Sequence, residues 1–230
     1  MAGQPCSCCQ SSVSSGYDGH GRTLDATPPV DVTAFAGHSW VDALVSGAPD
    51  IVAAWRGVEA GRLITARREV RHRAGSGTAE MVAAQLATLA GALTAFVEGA
   101  TDAMLEAPGG EGDWNVAQAI GHDCDARVGL CLAAALAAGG RWPAEAPTVV
   151  PSIAGPADAD RARLLRKIAQ SQRLVERAAR TVAGHETDLC PLDHPLVGRL
   201  RCGEWLVFAG VHDLMHLEQL HALATTRAAG

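Results

Sequence analysis

The fold is decided by residues 204–226, which read EWLVFAGVHDLMHLEQLHALATT. Large apolar residues recur in this stretch at steps of three and four, the period of a helix with one buried face. His212 and His216 lie on the same apolar stripe. Because side chains four residues apart lie one above the other on a helix, these two imidazoles are placed to bind one metal ion.

Three segments upstream share the helical period, and no sustained alternating pattern of a strand occurs. They span about 78–105, 115–138 and 157–183. Asn115 and Gln118 have the spacing of a capping box, which marks a helix start. A proline-rich connection, 143–156, is long enough to cross the end of a bundle. The sequence therefore predicts an all-α, antiparallel four-helix bundle.

Ahead of the bundle, which we expect over residues 78–230, lies an N-terminal extension of residues 1–77. Residues 1–33 are rich in Ser, Gly, Pro and Thr and lack periodicity, so we interpret them as a loose segment. Residues 38–72 are predicted to be helical, with Pro49 near the start of the main helix. Two roles stay open for the extension, reshaping the mouth of a site and forming a homodimer.

The composition excludes several classes of function. The 230 residues carry a formal net charge of -6, which argues against nucleic acid or an anionic membrane as the main partner. No stretch reaches the roughly 20 apolar residues of a membrane span, and the N-terminus does not resemble a signal peptide. We therefore expect a cytoplasmic protein with reduced cysteines. Cys6, Cys8 and Cys9 are interpreted as exposed thiols, whereas Cys124 and Cys131 should be packed on one helix face.

A third metal ligand should come from a facing helix, and His122 is the candidate, because it follows Asn115 by about two turns. A histidine on an apolar face is more often a hydrogen-bonded core residue, so from the residues alone both interpretations stay open. The segment also resembles the His-Glu-x-x-His motif of zinc peptidases, with Asp213 in the Glu position. We disfavour a peptidase, because that side chain is one methylene short of a glutamate.

Two motifs together resemble the DinB-like (YfiT-like) superfamily. Residues 114–125 are similar to the opening of its second helix, with a tryptophan, a capping residue and then a histidine followed by an acidic residue. Residues 203–220 resemble its last helix, with His-x-x-x-His followed by Gln. The resemblance covers roughly residues 78–226 and does not explain the extension.

This resemblance implies a four-helix bundle with one divalent metal ion (zinc, nickel, iron or manganese) bound by His122, His212 and His216. Similar proteins include transferases that join a low-molecular-weight thiol to an electrophile, and isomerases that use mycothiol as a cofactor. We therefore expect a metal-dependent enzyme, either a thiol (mycothiol-type) S-transferase or a thiol-dependent isomerase, acting on a small-molecule substrate. The alternatives are a metal-dependent enzyme of specialised metabolism without a thiol cofactor, and a non-catalytic metal-binding bundle.

Two polar residues are candidates for the surroundings of the metal. Asp125 lies one turn beyond His122, and Gln219 lies one turn beyond His216. Either side chain would orient an imidazole or a bound water if it faces the site, or would be an ordinary polar residue at the bundle edge if it does not. Arg127 is interpreted as a surface residue more readily than as a contact to an anionic substrate.

Overall fold

The computed structural model describes residues 39–60, 65–74, 77–109, 113–146, 153–156 and 160–228. Within these ranges the chain is all-α, which confirms the predicted fold class. The helices are α1 (Ser39–Asp42), α2 (Pro49–Ala60), α3 (Ala66–Ala74), α4 (Ala79–Gly99), α5 (Asp102–Leu105), α6 (Val116–Ala138), α7 (Arg161–Val182) and α8 (Cys202–Ala228). The long helices α4, α6, α7 and α8 form the bundle.

The connection between α6 and α7 determines how the bundle helices run. Lys167 of α7 pairs with Asp125 of α6, and Gln172, further along α7, accepts from Arg127, further along α6, so these two helices are parallel. Arg161, at the start of α7, donates to the carbonyl oxygen of Ala100 beyond the end of α4, so α4 and α7 are antiparallel. The long crossover thus returns the chain to the end where α6 began, and α4, α6, α7 and α8 run up, down, down and up.

Three of the four bundle helices, α4, α6 and α7, begin where the sequence supplies a capping side chain. The predicted capping box of α6 is present: Asn115 Oδ1 accepts from the Gln118 amide at 2.7 Å, and Gln118 Oε1 accepts from the Asn115 amide at 3.0 Å. Thr78 caps α4 and Asp160 caps α7. Such caps stabilise a helix by roughly 1 kcal/mol each. The third bundle helix begins at Arg161, four residues later than predicted, because Asp160 supplies the cap.

The helices of the extension pack on the face formed by α4 and α8. Pro49 begins α2, as predicted, and Gln85 of α4 caps that helix by accepting from the amides of Asp50 and Ile51. The side chain of Ile51 is fully buried against α8 at Gly210, where an added Cβ would lie 2.5 Å from its Cδ1. Helices α1–α3 therefore share one hydrophobic core with the bundle. A domain boundary after residue 77 stays a prediction, and residues 1–38, with the cysteine cluster, lie outside the described residues.

Helix α4 is long and apolar enough, by length and composition, to cross a membrane, which the sequence prediction did not anticipate. Its largest apolar side chains nevertheless lie in the bundle core, where Leu86, Leu89 and Leu93 are at most 1% exposed. A helix in a protein core has such a composition because more than one of its faces is buried and must be apolar.

The two cysteines of α6 are packed as predicted. Cys124 and Cys131 are both buried and free of disulfides. Burial raises the pKa of the Cys131 thiol to about 12, and it raises that of Cys124 well above its usual range. Such thiols stay protonated at neutral pH and are poor nucleophiles.

Candidate metal centre

Three histidine rings meet between α6 and α8. The ring centroids of His122 and His212 lie 5.5 Å apart, those of His122 and His216 5.1 Å, and those of His212 and His216 4.6 Å. One nitrogen of each ring lies within 4.8 Å of the other two, close enough for all three to bind one ion. The rings are 4%, 5% and 1% exposed, in the same order. The structure thus brings together the three ligands that the sequence predicted.

His122 is oriented by a backbone carbonyl. Its Nδ1 lies 2.8 Å from the carbonyl oxygen of Ile153, in the crossover between α6 and α7. A carbonyl oxygen only accepts, so Nδ1 carries the proton and donates. The lone pair of the neutral ring therefore lies on Nε2, the nitrogen that remains for a metal.

Two glycines bring that carbonyl to the ring. Gly121 precedes His122, and an added Cβ there would lie 2.9 Å from the Cα of Gly155. An added Cβ on Gly155 would in turn lie 2.6 Å from the Cα of Gly121. The backbone of the crossover therefore packs directly against α6, at a point where neither segment has a side chain. This close approach fixes the position of Ile153 over His122.

His216 is oriented by Gln219, one turn further along α8. The Gln219 amide nitrogen donates to the carbonyl oxygen of Gly109, so its Oε1 must face the other way. That oxygen lies 3.2 Å from His216 Nδ1 and accepts its proton. The role assigned to Gln219 from the sequence, to orient an imidazole, agrees with this geometry. The Gly109 amide also donates to the carbonyl of Trp114, which ties the loop before α6 to the same point.

His212 faces a carboxylate. Its Nδ1 lies 3.5 Å from Oδ1 of Asp123, and both side chains are at least 95% buried. A carboxylate at this nitrogen favours the tautomer with the proton on Nδ1. All three rings therefore have an acceptor at Nδ1, which places the lone pair of each neutral ring on Nε2. Three neutral imidazoles arranged in this way fit a divalent ion of the zinc, nickel or iron type.

A second carboxyl and a guanidinium lie behind Asp123. Ligand atoms of Asp123, His212 and Asp213 all lie within 4.8 Å of one another. Arg127 is fully buried, and its Nε lies 3.4 Å from Oδ2 of Asp213. Its Nη2 donates to the carbonyl oxygen of Leu86 at 2.9 Å and to Oε1 of Gln172 at 3.0 Å. Arg127 thus touches the other three bundle helices from its own place on α6.

The two aspartates have different electrostatic environments. Burial disfavours ionisation of Asp123, but the contact with His212 and the charge of Arg127, together with His216 and His212 when these are protonated, lower its pKa to about 2. Burial raises the pKa of Asp213 well above its ordinary value, and the adjacent Asp123 adds to the rise, against the opposing charge of Arg127. Asp123, which contacts His212, is therefore the more readily ionised of the two carboxyls.

The structure corrects two expectations from the sequence, for Asp125 and Arg127. Asp125 is not beside the histidines, because its carboxylate is about half exposed and pairs with Lys167 at 2.7 Å. Arg127 is not a surface residue, because its side chain lies in the centre of the bundle. Asp213 is directed at Arg127 and is 3% exposed, so it does not occupy the place of a peptidase general base. The residue that the sequence reasoning missed is Asp123.

Trp114 bounds the centre on the side of the loop before α6. Its ring centroid lies 5.0 Å from that of His122, at an interplanar angle of 52°. The ring is partly exposed, whereas His122 beneath it is buried. Trp114 therefore shields the ligand ring from solvent on this side.

We expect Gly121→Ala to weaken metal binding without removing a ligand. The new Cβ would meet the Gly155 backbone at 2.9 Å and push the Ile153 carbonyl off His122 Nδ1. Loss of such an orienting contact weakens metal affinity by roughly 10–100-fold. The measurement is a competition titration with a chelating indicator.

Gly129→Ala is the matched control, because an added Cβ at this position of the same helix meets nothing within 4 Å. It should keep the affinity and stabilise the helix by about 1 kcal/mol. Equal affinity in the two variants would show that the Ile153 contact does not hold the ring.

Comparison with known proteins agrees with the geometry. The family model described as the DinB superfamily matches residues 85–220, more than half of the chain. The matched region contains all three histidines together with Asp123, Arg127, Asp213 and Gln219. The comparison with curated proteins found no match, and the comparison with solved structures found none either.

Proposed function

The chain belongs to the DinB superfamily, and from this premise we propose that it is a metal-dependent enzyme that joins a small thiol to an electrophilic substrate. The observation that carries the proposal is the buried group of His122, His212 and His216. In the described part of the chain, three ligand side chains, not four, surround this point. A divalent ion held by three protein ligands keeps an open position, as catalytic sites do.

The chemistry follows from that open position. When bound there, a divalent ion lowers the pKa of an entering thiol below the ~8.5 of a free cysteine. In the transfer, the thiol sulfur forms a bond to an electrophilic carbon, the leaving group departs with its electron pair, and the thiol proton passes to solvent. In an isomerisation the thiol adds and is then released. Mycothiol or another small thiol is the proposed cofactor, and the cytoplasm, where such thiols are reduced, is the proposed compartment.

In this proposal, residues of the chain position the three imidazole rings and shield the metal centre from water. Ile153, Asp123 and Gln219 hold the three rings through Nδ1, and Trp114 limits access of water beside His122. Of the described carboxyls nearest the rings, Asp123 faces His212 and Asp213 faces Arg127. Neither is assigned a proton transfer with the substrate.

A non-catalytic metal-binding bundle is the second candidate, and the burial of the ligands favours it. The three rings are at most 5% exposed, so a substrate reaches them only if the segments around the centre move. In that case the ion would stabilise the bundle, or its binding would make the protein a sensor of the metal. A fourth protein ligand would then occupy the remaining coordination position.

Turnover with and without thiol separates these functions. The metal-loaded protein is incubated with a panel of electrophiles, in the presence and absence of mycothiol or glutathione, and product formation is followed by mass spectrometry. The proposal expects a thiol adduct or a thiol-dependent isomer that disappears after chelation and in His122→Ala. Turnover that needs no thiol would support an enzyme of specialised metabolism instead. No turnover, with a fourth protein ligand on the metal, would support the non-catalytic bundle.

A further inference from the structure

A buried carboxylate on α6 contacts the imidazole of a candidate ligand on α8. Asp123 is fully buried, and its Oδ1 lies 3.5 Å from Nδ1 of His212. Isolated carboxylates are almost never buried, because desolvation of the charge is too unfavourable without partners. Burial of the Asp123 carboxylate is therefore tolerated only together with the groups that face it.

The groups behind Asp123 hold the carboxylate in place. Asp213 lies within 4.8 Å of it, and Arg127 binds Asp213 through Nε at 3.4 Å. Arg127 is itself fixed by Leu86 on α4 and Gln172 on α7. The position of one imidazole is thus connected to all four bundle helices through side chains that are fully or partly buried.

We propose that Asp123 is a positioning residue of the metal centre: it holds His212 with the proton on Nδ1 and the lone pair on Nε2, while Arg127 and Asp213 fix it from behind. This inference rests on the metal binding in the proposed function and deepens it. It assigns to Asp123 the role that the sequence suggested for Asp125. Neither Arg127 nor Asp213 touches the ion; both act through Asp123.

The physical reason is the choice of tautomer. A neutral imidazole carries one proton, and only the nitrogen without it can bind a metal. A carboxylate accepts and cannot donate, so it selects the tautomer with the proton on Nδ1. An asparagine in its place offers an NH2 donor as well as an acceptor oxygen, so it no longer selects a single tautomer, and it lacks the negative charge of the carboxylate. The carboxylate also raises the basicity of the ring toward a cation.

Asp123→Asn tests this role, with Asp125→Asn as the matched control two residues further along α6. The two variants make the same chemical change, but Asp125 is exposed and pairs with Lys167 away from the rings. Affinity for Zn²⁺ is measured by competition with a chelating indicator, and the visible spectrum of the Co²⁺-loaded protein reports ligand geometry. We expect Asp123→Asn to bind about 10–100-fold more weakly and to change the Co²⁺ spectrum. Asp125→Asn should match the wild type in both.

A measurement on the wild-type protein keeps the test decisive if Asp123→Asn fails to fold. Long-range proton–nitrogen NMR spectra of the Zn²⁺-loaded protein show which nitrogen of His212 carries the proton. A proton on Nδ1 supports the inference, and metal binding through Nδ1 overturns it. Equal affinity and equal Co²⁺ spectra in both variants would overturn it while leaving the metal centre intact. A wild-type protein that binds no metal would overturn both the inference and the proposed function.

Discussion

Replacing both ligands of α8, His212→Ala with His216→Ala, is expected to abolish binding of divalent metal. The two rings lie 4.6 Å apart on successive turns, and without them only His122 remains. A full structural zinc site binds with roughly 10–16 kcal/mol, so the loss of two ligands should weaken affinity by at least about 1000-fold. The measurements are metal content after dialysis and a competition titration.

The thermal transition provides a second readout of the same change. A ligand that binds only the folded state raises its stability in proportion to the logarithm of its concentration. Zn²⁺ should therefore raise the melting temperature of the wild type and leave that of the double variant unchanged. His72→Ala with His185→Ala is the matched control, because both of these histidines are exposed and lie away from the three rings. A double variant at 212 and 216 that still binds one ion would place the metal elsewhere.

Arg127→Met is expected to cause the largest loss of stability of any single change discussed. Arg127 is fully buried, and its guanidinium is the cation that Asp213 and Asp123 share. Methionine fills a similar volume but leaves two buried carboxyls without a positive charge. Removing one partner of a buried ion pair costs about 3–5 kcal/mol. The free energy of unfolding, from urea denaturation of the metal-free protein, measures this loss.

A compensating variant separates loss of charge from loss of volume. Arg127→Met combined with Asp213→Leu removes both members of the pair, and apolar replacements of this kind are often neutral or stabilising. The double variant should therefore recover the part of the lost stability that belongs to Asp213, while Asp123 still lacks the guanidinium charge. Arg177→Met on the exposed face of α7 is the control and should lie within about 0.5 kcal/mol of the wild type. An Arg127→Met protein within about 1 kcal/mol of the wild type would contradict the assigned role of the buried pair.

The fold was accessible from the sequence because its signals are local. Apolar residues with the helical period mark the four long helices, and Asn115 with Gln118 marks the beginning of α6. The ligands were accessible for a related reason, since His212 and His216 share one stripe of one helix. The prediction of an antiparallel bundle did not anticipate the parallel course of α6 and α7. It depends on where the crossover rejoins the bundle, and the predicted length of 143–156 permitted that course without requiring it.

The surroundings of the ligands were harder to predict because they depend on contacts between helices. Asp123 and Asp125 both follow His122 closely, and the sequence does not give the rotation of α6 relative to α8 that selects one of them. Arg127 follows Asp123 by four residues in a largely apolar helix, a spacing that places both on one face. That pattern is the signal that could have indicated a buried pair. The Ile153 contact leaves no such signal, because it uses a backbone carbonyl.

The most direct test of the metal centre is an anomalous difference map from a crystal of the metal-loaded protein, recorded at the absorption edge of the metal. We expect one peak per chain, bonded to Nε2 of His122, His212 and His216 at roughly 2.0–2.2 Å, with each Nδ1 on its own partner. A peak at another place in the chain, or no peak between these three rings, would contradict the three-histidine centre on which the proposed function rests.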